Sequence, residues 1–205
     1  MGRALTVTEV LRQKKQTFAF EGPWKDAFGE PERCGVWFVW GNSGNGKSSF
    51  VMQLCKELCR FERVAYDSLE EGDSLTIKQS LQRNGMKECG RRFSLLNAEK
   101  MDDLKARLDR RKSYNIVVID SFQYTQMSYR DYIRLKERYR GKLLIFVSHA
   151  KGCLPRGGAA ESVMYDATLK IWVEGFRAFS KGRFIGPTGV YTIWDEGAKR
   201  YWGGE

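Results

Sequence analysis

The sequence predicts an α/β fold: a mostly parallel central sheet flanked by helices and extended by antiparallel strands near the C-terminus. Three observations carry this. Strand and helix patterns alternate from residue 34 to about residue 148. The β-branched run NIVVID at residues 115–120 is of the kind found in central parallel strands. From LKIWVEGF onward, short strands alternate with turn signals and no helical stripe is evident, which adds antiparallel strands to the sheet. The chain has 205 residues, enough for one domain with a sizeable core, and its 42% hydrophobic content excludes disorder.

In chain order, residues 1–33 read as an N-terminal arm. Thr6 and Glu9 fit a capping box that opens a short helix with Val7, Val10 and Leu11 on one side. The arm is either a strap on its own domain or a contact with a neighbouring subunit. The main domain is expected over residues 34–205. VWFVW at 36–40 is a buried strand, and 47–60 is a helix with Phe50, Val51, Leu54, Cys55 and Leu58 in one stripe. RVAYD at 63–67 is a second strand, and 74–84 is a helix stopped by Gly85. RFSLL is a further strand, 100–112 a helix, 115–120 the central strand and 129–140 a basic helix with a solvated face. KLLIFVS at 142–148 is another buried strand, and a glycine-rich stretch occupies 151–160.

The net charge is +10 and the pI about 9.4, which favours an anionic partner such as a nucleotide or nucleic acid. The five cysteines include no CxxC pair, and the single histidine is distant from them in sequence, so zinc spacing is not met. Free thiols in a reducing, cytoplasmic setting are expected. The N-terminal stretch lacks the apolar region of a signal peptide. No apolar run approaches the roughly 18 residues of a membrane span, so no membrane partner is expected.

The chemistry concentrates at GNSGNGKSS, which fits G-x-x-x-x-G-K-[ST] through Gly41, Gly46, Lys47 and Ser48. A polyphosphate needs converging N–H donors. The backbone of Gly41, Asn42, Ser43, Gly44, Asn45 and Gly46 can curl around it, and the helix beginning at Lys47, Ser48 and Ser49 adds donors and positive dipole. Lys47 would reach the β- and γ-phosphates, and Ser48 would place its hydroxyl on Mg²⁺. Asp120 ends the central strand at the carboxyl edge of the sheet, where open α/β sheets bind ligands, and is the second metal candidate. Asp67, Glu70 and Glu71 follow the second strand, and spacing alone does not choose which would activate water. His149, at the tip of LLIFVSHAKG, is either a contact to the γ-phosphate or a surface histidine.

These pieces together resemble the RecA-type ATPase domain of DnaB-like replicative helicases over roughly residues 34–202. In that family the second strand ends in Ser-Leu-Glu, here Ser68-Leu69-Glu70, and the resemblance selects Glu70 as the water-activating residue. The metal strand ends Asp-x-x-Gln, here Asp120 and Gln123. The next strand ends Ser-Gln, with the glutamine sensing the γ-phosphate; this chain departs with Ser148-His149. A flexible DNA-binding loop follows in the family, matched here by Lys151, Arg156, Gly157 and Gly158. The family also carries Lys-x-Arg before Gly-Pro-x-Gly. Here Lys181 and Arg183 precede Gly186, with one extra residue between.

The resemblance implies a homo-oligomer, a hexameric ring or a filament, with ATP and Mg²⁺ sites between subunits. Gly46, Lys47, Ser48, Glu70 and Asp120 would act in cis, and Lys181 and Arg183 from the neighbour. It also implies single-stranded DNA binding or translocation in DNA replication or recombination. Two other classes are weighed: a nucleotide-gated RecA-like assembly that does not act on DNA, and a small-molecule P-loop kinase, which the C-terminal β region does not resemble.

Overall fold

A computed structural model describes residues 3–203; residues 1–2 and 204–205 lie outside the described residues. One sheet organises the chain. In chain order its strands are β1 (Gly35–Gly41), β2 (Val64–Ser68), β3 (Phe93–Leu96), β4 (Ile116–Asp120), β5 (Leu143–Lys151), β6 (Leu154–Pro155), β7 (Leu169–Glu174), β8 (Arg177–Ser180) and β9 (Val190–Thr192). Their spatial order is β3-β2-β4-β5-β1-β7-β8-β9, with β6 paired to β5 alone. From β3 to β7 every pairing is parallel; β8 and β9 are antiparallel. This is the expected α/β architecture, antiparallel extension included.

The sheet has helices on both faces. Helix α3 (Lys47–Leu58) buries Phe50, Val51, Leu54, Cys55 and Leu58, the stripe read from spacing. With α4 (Leu75–Arg83) it covers Trp37, Val39, Tyr66 and Val118. The opposite face holds α5 (Met101–Leu108), α6 (Tyr129–Arg138) and α7 (Gly158–Asp166) over Val36, Phe38, Val117 and Phe146. Alternation along β1 sends Trp37 and Val39 to one core and Val36 and Phe38 to the other, so both faces are apolar. The charges of α6 are largely spent on ion pairs, Lys136 with Asp166 at 2.6 Å and Arg138 with Asp109 at 2.6 Å. No helix among the described residues is long and apolar enough to cross a membrane.

The N-terminal segment divides in two. Helix α1 (Val7–Arg12) has the Thr6–Glu9 capping box but buries no residue. Residues 17–28 instead enter the core: Phe18, Phe20, Ala27 and Phe28 are fully or nearly fully buried, and Trp24 stacks on Tyr191 at 4.1 Å. Helix α2 (Gly22–Phe28) also carries the later turn at residues 186–189. Gly186 N–H donates to the Ala27 carbonyl at 3.1 Å, and Thr188 and Gly189 N–H to the Asp26 carbonyl at 2.9 and 3.1 Å. A Cβ on Gly186 would lie 2.1 Å from the Lys25 carbonyl oxygen, so only glycine fits there.

Two expectations are corrected. The glycine-rich stretch 151–160 is no flexible loop. β6 folds back on β5 as a short hairpin, and α7 begins at Gly158. The C-terminal third also contains a helix, α8 (Asp195–Trp202), with acidic residues in its first turn, basic ones in its last, and Gly203 in the left-handed region beyond.

Candidate active site

The phosphate-binding loop links β1 to α3. A Cβ on Gly41 would lie 2.4 Å from the Val173 carbonyl oxygen, and Gly44 and Gly46 have φ of 78° and 92°. The loop is held from both sides. Asn45 Oδ1 accepts the Gly175 N–H at 2.8 Å, and the Asn45 carbonyl accepts the Phe176 N–H at 3.1 Å. Asn42 Nδ2 donates to the Gly152 carbonyl at 3.3 Å on the opposite flank. Gly46, the N-cap of α3, offers no side-chain cap, and the first turn has no acidic residue. Its N–H donors are therefore left for an anion.

Lys47, Ser48, Glu70, Asp120 and His149 line one cleft with Ser43, Tyr66 and Glu71. Sheet register explains the convergence. Ser68 pairs with Asp120, Asp120 with Val147, and His149 with Gly41, so these strand ends reach one edge together. Glu70 hangs on β4, its N–H and that of Leu69 donating to the Asp120 carbonyl at 3.3 and 2.7 Å. Its carboxylate lies 3.0 Å from His149 Nε2.

The three acidic candidates after β2 separate clearly. Asp67 is fully buried away from the cleft, where its Oδ1 accepts the Glu99 N–H at 3.0 Å and its Oδ2 is unpartnered among the described residues. Burial pushes its carboxyl up to about 6, against that hydrogen bond. Glu71 accepts from Thr76 and Ser74 at the start of α4. Glu70 alone of the three faces His149.

Asp120 is held by the Tyr66 hydroxyl, which donates to Oδ2. Burial pushes its carboxyl above the ordinary value. The Tyr66 bond and the Lys47 charge oppose this, and Glu70 and Glu71 push the same way. Three carboxylates thus share a cleft with one lysine, a balance that a divalent cation would complete. The oxygen donors of Ser48 and Asp120 suit Mg²⁺. No group of three or more His, Cys, Asp or Glu residues among the described residues could hold a metal unaided.

Lys181 and Arg183 are not in this cleft. The Lys181 N–H donates to the Lys170 carbonyl at 2.7 Å and the Arg183 N–H to the Thr168 carbonyl at 3.1 Å. Thr168 N–H in turn donates to Val36, five residues before Gly41. Arg183 is therefore about 16 Å below the loop along the strands, at about 3.3 Å per residue. Both side chains are exposed.

Lys151 and Arg156 are exposed at the β5–β6 hairpin, while Gly157 and Gly158 begin α7. The hairpin is tied down. Trp40 Nε1 donates to the Cys153 carbonyl at 3.0 Å, and Gln123 Nε2 donates to Ser148 Oγ at 2.8 Å and the Arg156 carbonyl at 2.9 Å. Gln123 Oε1 also accepts the His149 N–H at 3.2 Å.

A second groove adjoins the loop, lined by Ser49, Gln53, Arg83, Asn84, Phe176 and Trp194. Gln53 Nε2 donates to the Ile193 carbonyl at 3.3 Å, leaving its Oε1 buried without a partner among the described residues. Sequence reading missed this groove because its walls come from α3, α4, the β7–β8 turn and the start of α8. Only the position of Gln53, one turn beyond Ser49 on the phosphate-loop helix, is a local clue.

No family model and no curated protein sequence matches the chain. Among solved structures, it is similar to a KaiC-like protein from the hyperthermophilic archaeon Pyrococcus horikoshii, with a TM-score of 0.61 and 15% identity over 87% of this chain and 98% of that one. It is also similar to the flagellar accessory protein FlaH from Methanocaldococcus jannaschii, with a TM-score of 0.59 and 16% identity over 88% of this chain and 92% of that one. At these identities the likeness shows the fold, a mostly parallel sheet between helices with an antiparallel extension.

Proposed function

We propose that the chain is an ATP hydrolase that works as a homo-oligomer, with Lys181 and Arg183 of each subunit completing the site of the next. The observation that carries this is spatial. One cleft gathers a phosphate loop, a lysine, a hydroxyl–carboxylate pair and a glutamate, while Lys181 and Arg183 stand outside it, Lys181 level with Phe38 in mid-strand and Arg183 near the far end of the strands.

In this reading the loop N–H groups and Lys47 hold the β- and γ-phosphates. Ser48 and Asp120 hold Mg²⁺, with Tyr66 fixing the Asp120 carboxylate; the ion, when bound, neutralises charge on the phosphate oxygens. Glu70 orients a water and accepts its proton. His149 Nε2 lies 3.0 Å from the Glu70 carboxylate. His149 is placed to contact the γ-phosphate beside Glu70. The groove beside Ser49 holds the base. Charge spreads over the phosphoryl oxygens at the transition state, and a neighbour's guanidinium there adds about 10³–10⁵ in rate.

Single-stranded DNA is the proposed partner of Lys151, Arg156, Gly157 and Gly158, because the hairpin is bonded both to the phosphate loop and, through Gln123, to His149. One observation favours the second reading, an assembly gated by nucleotide without DNA: the tied-down hairpin lacks the freedom of a loop that tracks a strand. The solved neighbours, named as KaiC-like and as a flagellar accessory protein, accord with it as well. Phosphate release measured with and without single-stranded DNA separates the two. DNA-stimulated turnover that Lys151→Glu/Arg156→Glu removes supports the first; turnover indifferent to DNA supports the second.

A further inference from the structure

The parallel strands start in register. Phe93 pairs with Val64, Val64 with Ile116, and Leu143 with both Ile116 and Gly35. The residues just before them form one row along the sheet edge opposite the nucleotide cleft, and Arg92, Arg63 and Lys142 stand in it. These three brace the edge. Arg92 donates to the Cys59 carbonyl at 3.0 Å, Arg63 to the Lys112 carbonyl, and Lys142 to the Tyr114 carbonyl at 2.7 Å.

The braced turn before β4 presents Arg110, Arg111 and Lys112, all exposed. The nearby carboxylates are engaged elsewhere: Asp109 pairs with Arg138 at 2.6 Å, and Glu62 accepts from Asn115 at 3.0 Å and faces Arg33 at 3.8 Å. From β3 to β5 the row spans three strand spacings, about 14 Å at about 4.8 Å each.

We infer that this edge binds the phosphate backbone of a nucleic-acid duplex without reading its sequence, at a site separate from the hairpin. Uncompensated cations on a flat edge bind a polyanion by releasing its counterions. None of the exposed large apolar side chains lies along the β3–β5 stretch. The edge therefore has no exposed ring on which to stack the bases of a single strand, Tyr114 being half-buried with Arg63 over its ring, and no aliphatic anchors to enter a bilayer. An apolar surface that could serve a membrane is instead on α1, with Val7 and Leu11 exposed.

Fluorescence anisotropy tests this with a labelled duplex of about 30 base pairs, the full chain and a salt series. Arg110→Glu/Arg111→Glu/Lys112→Glu should weaken binding at least tenfold and lower the salt slope by about 2.7, at about 0.9 for each phosphate no longer neutralised. Arg91→Glu, on the adjacent turn, should lower the slope by about 0.9. Lys151→Glu/Arg156→Glu should leave duplex binding in place, and nucleotide turnover without nucleic acid should be unchanged in the edge variants. The inference is overturned if the triple variant binds duplex like the wild type, or if the hairpin variant alone abolishes duplex binding. Binding to phosphatidylserine vesicles but not to duplex also overturns it.

Discussion

Within the cleft, single residues act on one another. His149 Nε2 lies 3.0 Å from the carboxylate of Glu70, the proposed base. Glu70→Gln should retain nucleotide binding and lower kcat by about 10²–10⁴, as expected for loss of a general base; nucleotide titration alongside phosphate release checks both halves. Asp67 makes a different demand. Its folded-state value of about 6 lies above the ordinary carboxylate value, so the native state holds a proton that the unfolded chain has released. That contribution favours folding at pH 4 and is lost as pH rises through 6. Asp67→Asn should remove the dependence, leaving the variant better by on the order of 2 kcal/mol at pH 7 relative to pH 4 than the wild type. Denaturant midpoints at the two pH values measure this, and equal pH dependence in both proteins would contradict it.

At the scale of elements, the phosphate loop is clamped between the β5–β6 hairpin and the β7–β8 turn. Trp40→Phe removes the donor to Cys153 and should cost about 1 kcal/mol. Amide exchange over residues 151–154 should then rise selectively, whereas unchanged protection would show that the tie does not hold the hairpin. The same elements show where the sequence was readable. The parallel strands, the phosphate loop and α3 were legible because periodicity and glycine spacing are local. Helix α7 was hidden by the glycines at its start, although Ala160, Val163, Met164 and Ala167 form a helical stripe. Helix α8 was hidden by its short, polar run, and its Asp195–Glu196 start and Gly203 stop were the available clues. The groove at Gln53 and the burial of Asp67 depend on packing among distant segments, which no local pattern encodes.

The whole molecule is polar. One edge of the sheet gathers Glu70, Glu71 and Asp120 around the phosphate loop; the other gathers cations that its carboxylates do not neutralise. Arg183 stands toward the second end, two residues beyond Lys181, on a hairpin whose turn at 186–189 is bonded to α2. A subunit alone therefore cannot place Arg183 on its own nucleotide, and Arg183→Ala should bind nucleotide normally yet turn over about 10³–10⁵ slower. The most direct test mixes two inactive variants, Glu70→Gln and Arg183→Ala, in equal amounts and measures phosphate release. If sites lie between subunits, some interfaces in mixed assemblies receive Glu70 from one subunit and Arg183 from the other. Activity should then return to about a quarter of wild type in a head-to-tail assembly. A mixture no more active than its separate components, under conditions where the subunits exchange, would contradict the shared site.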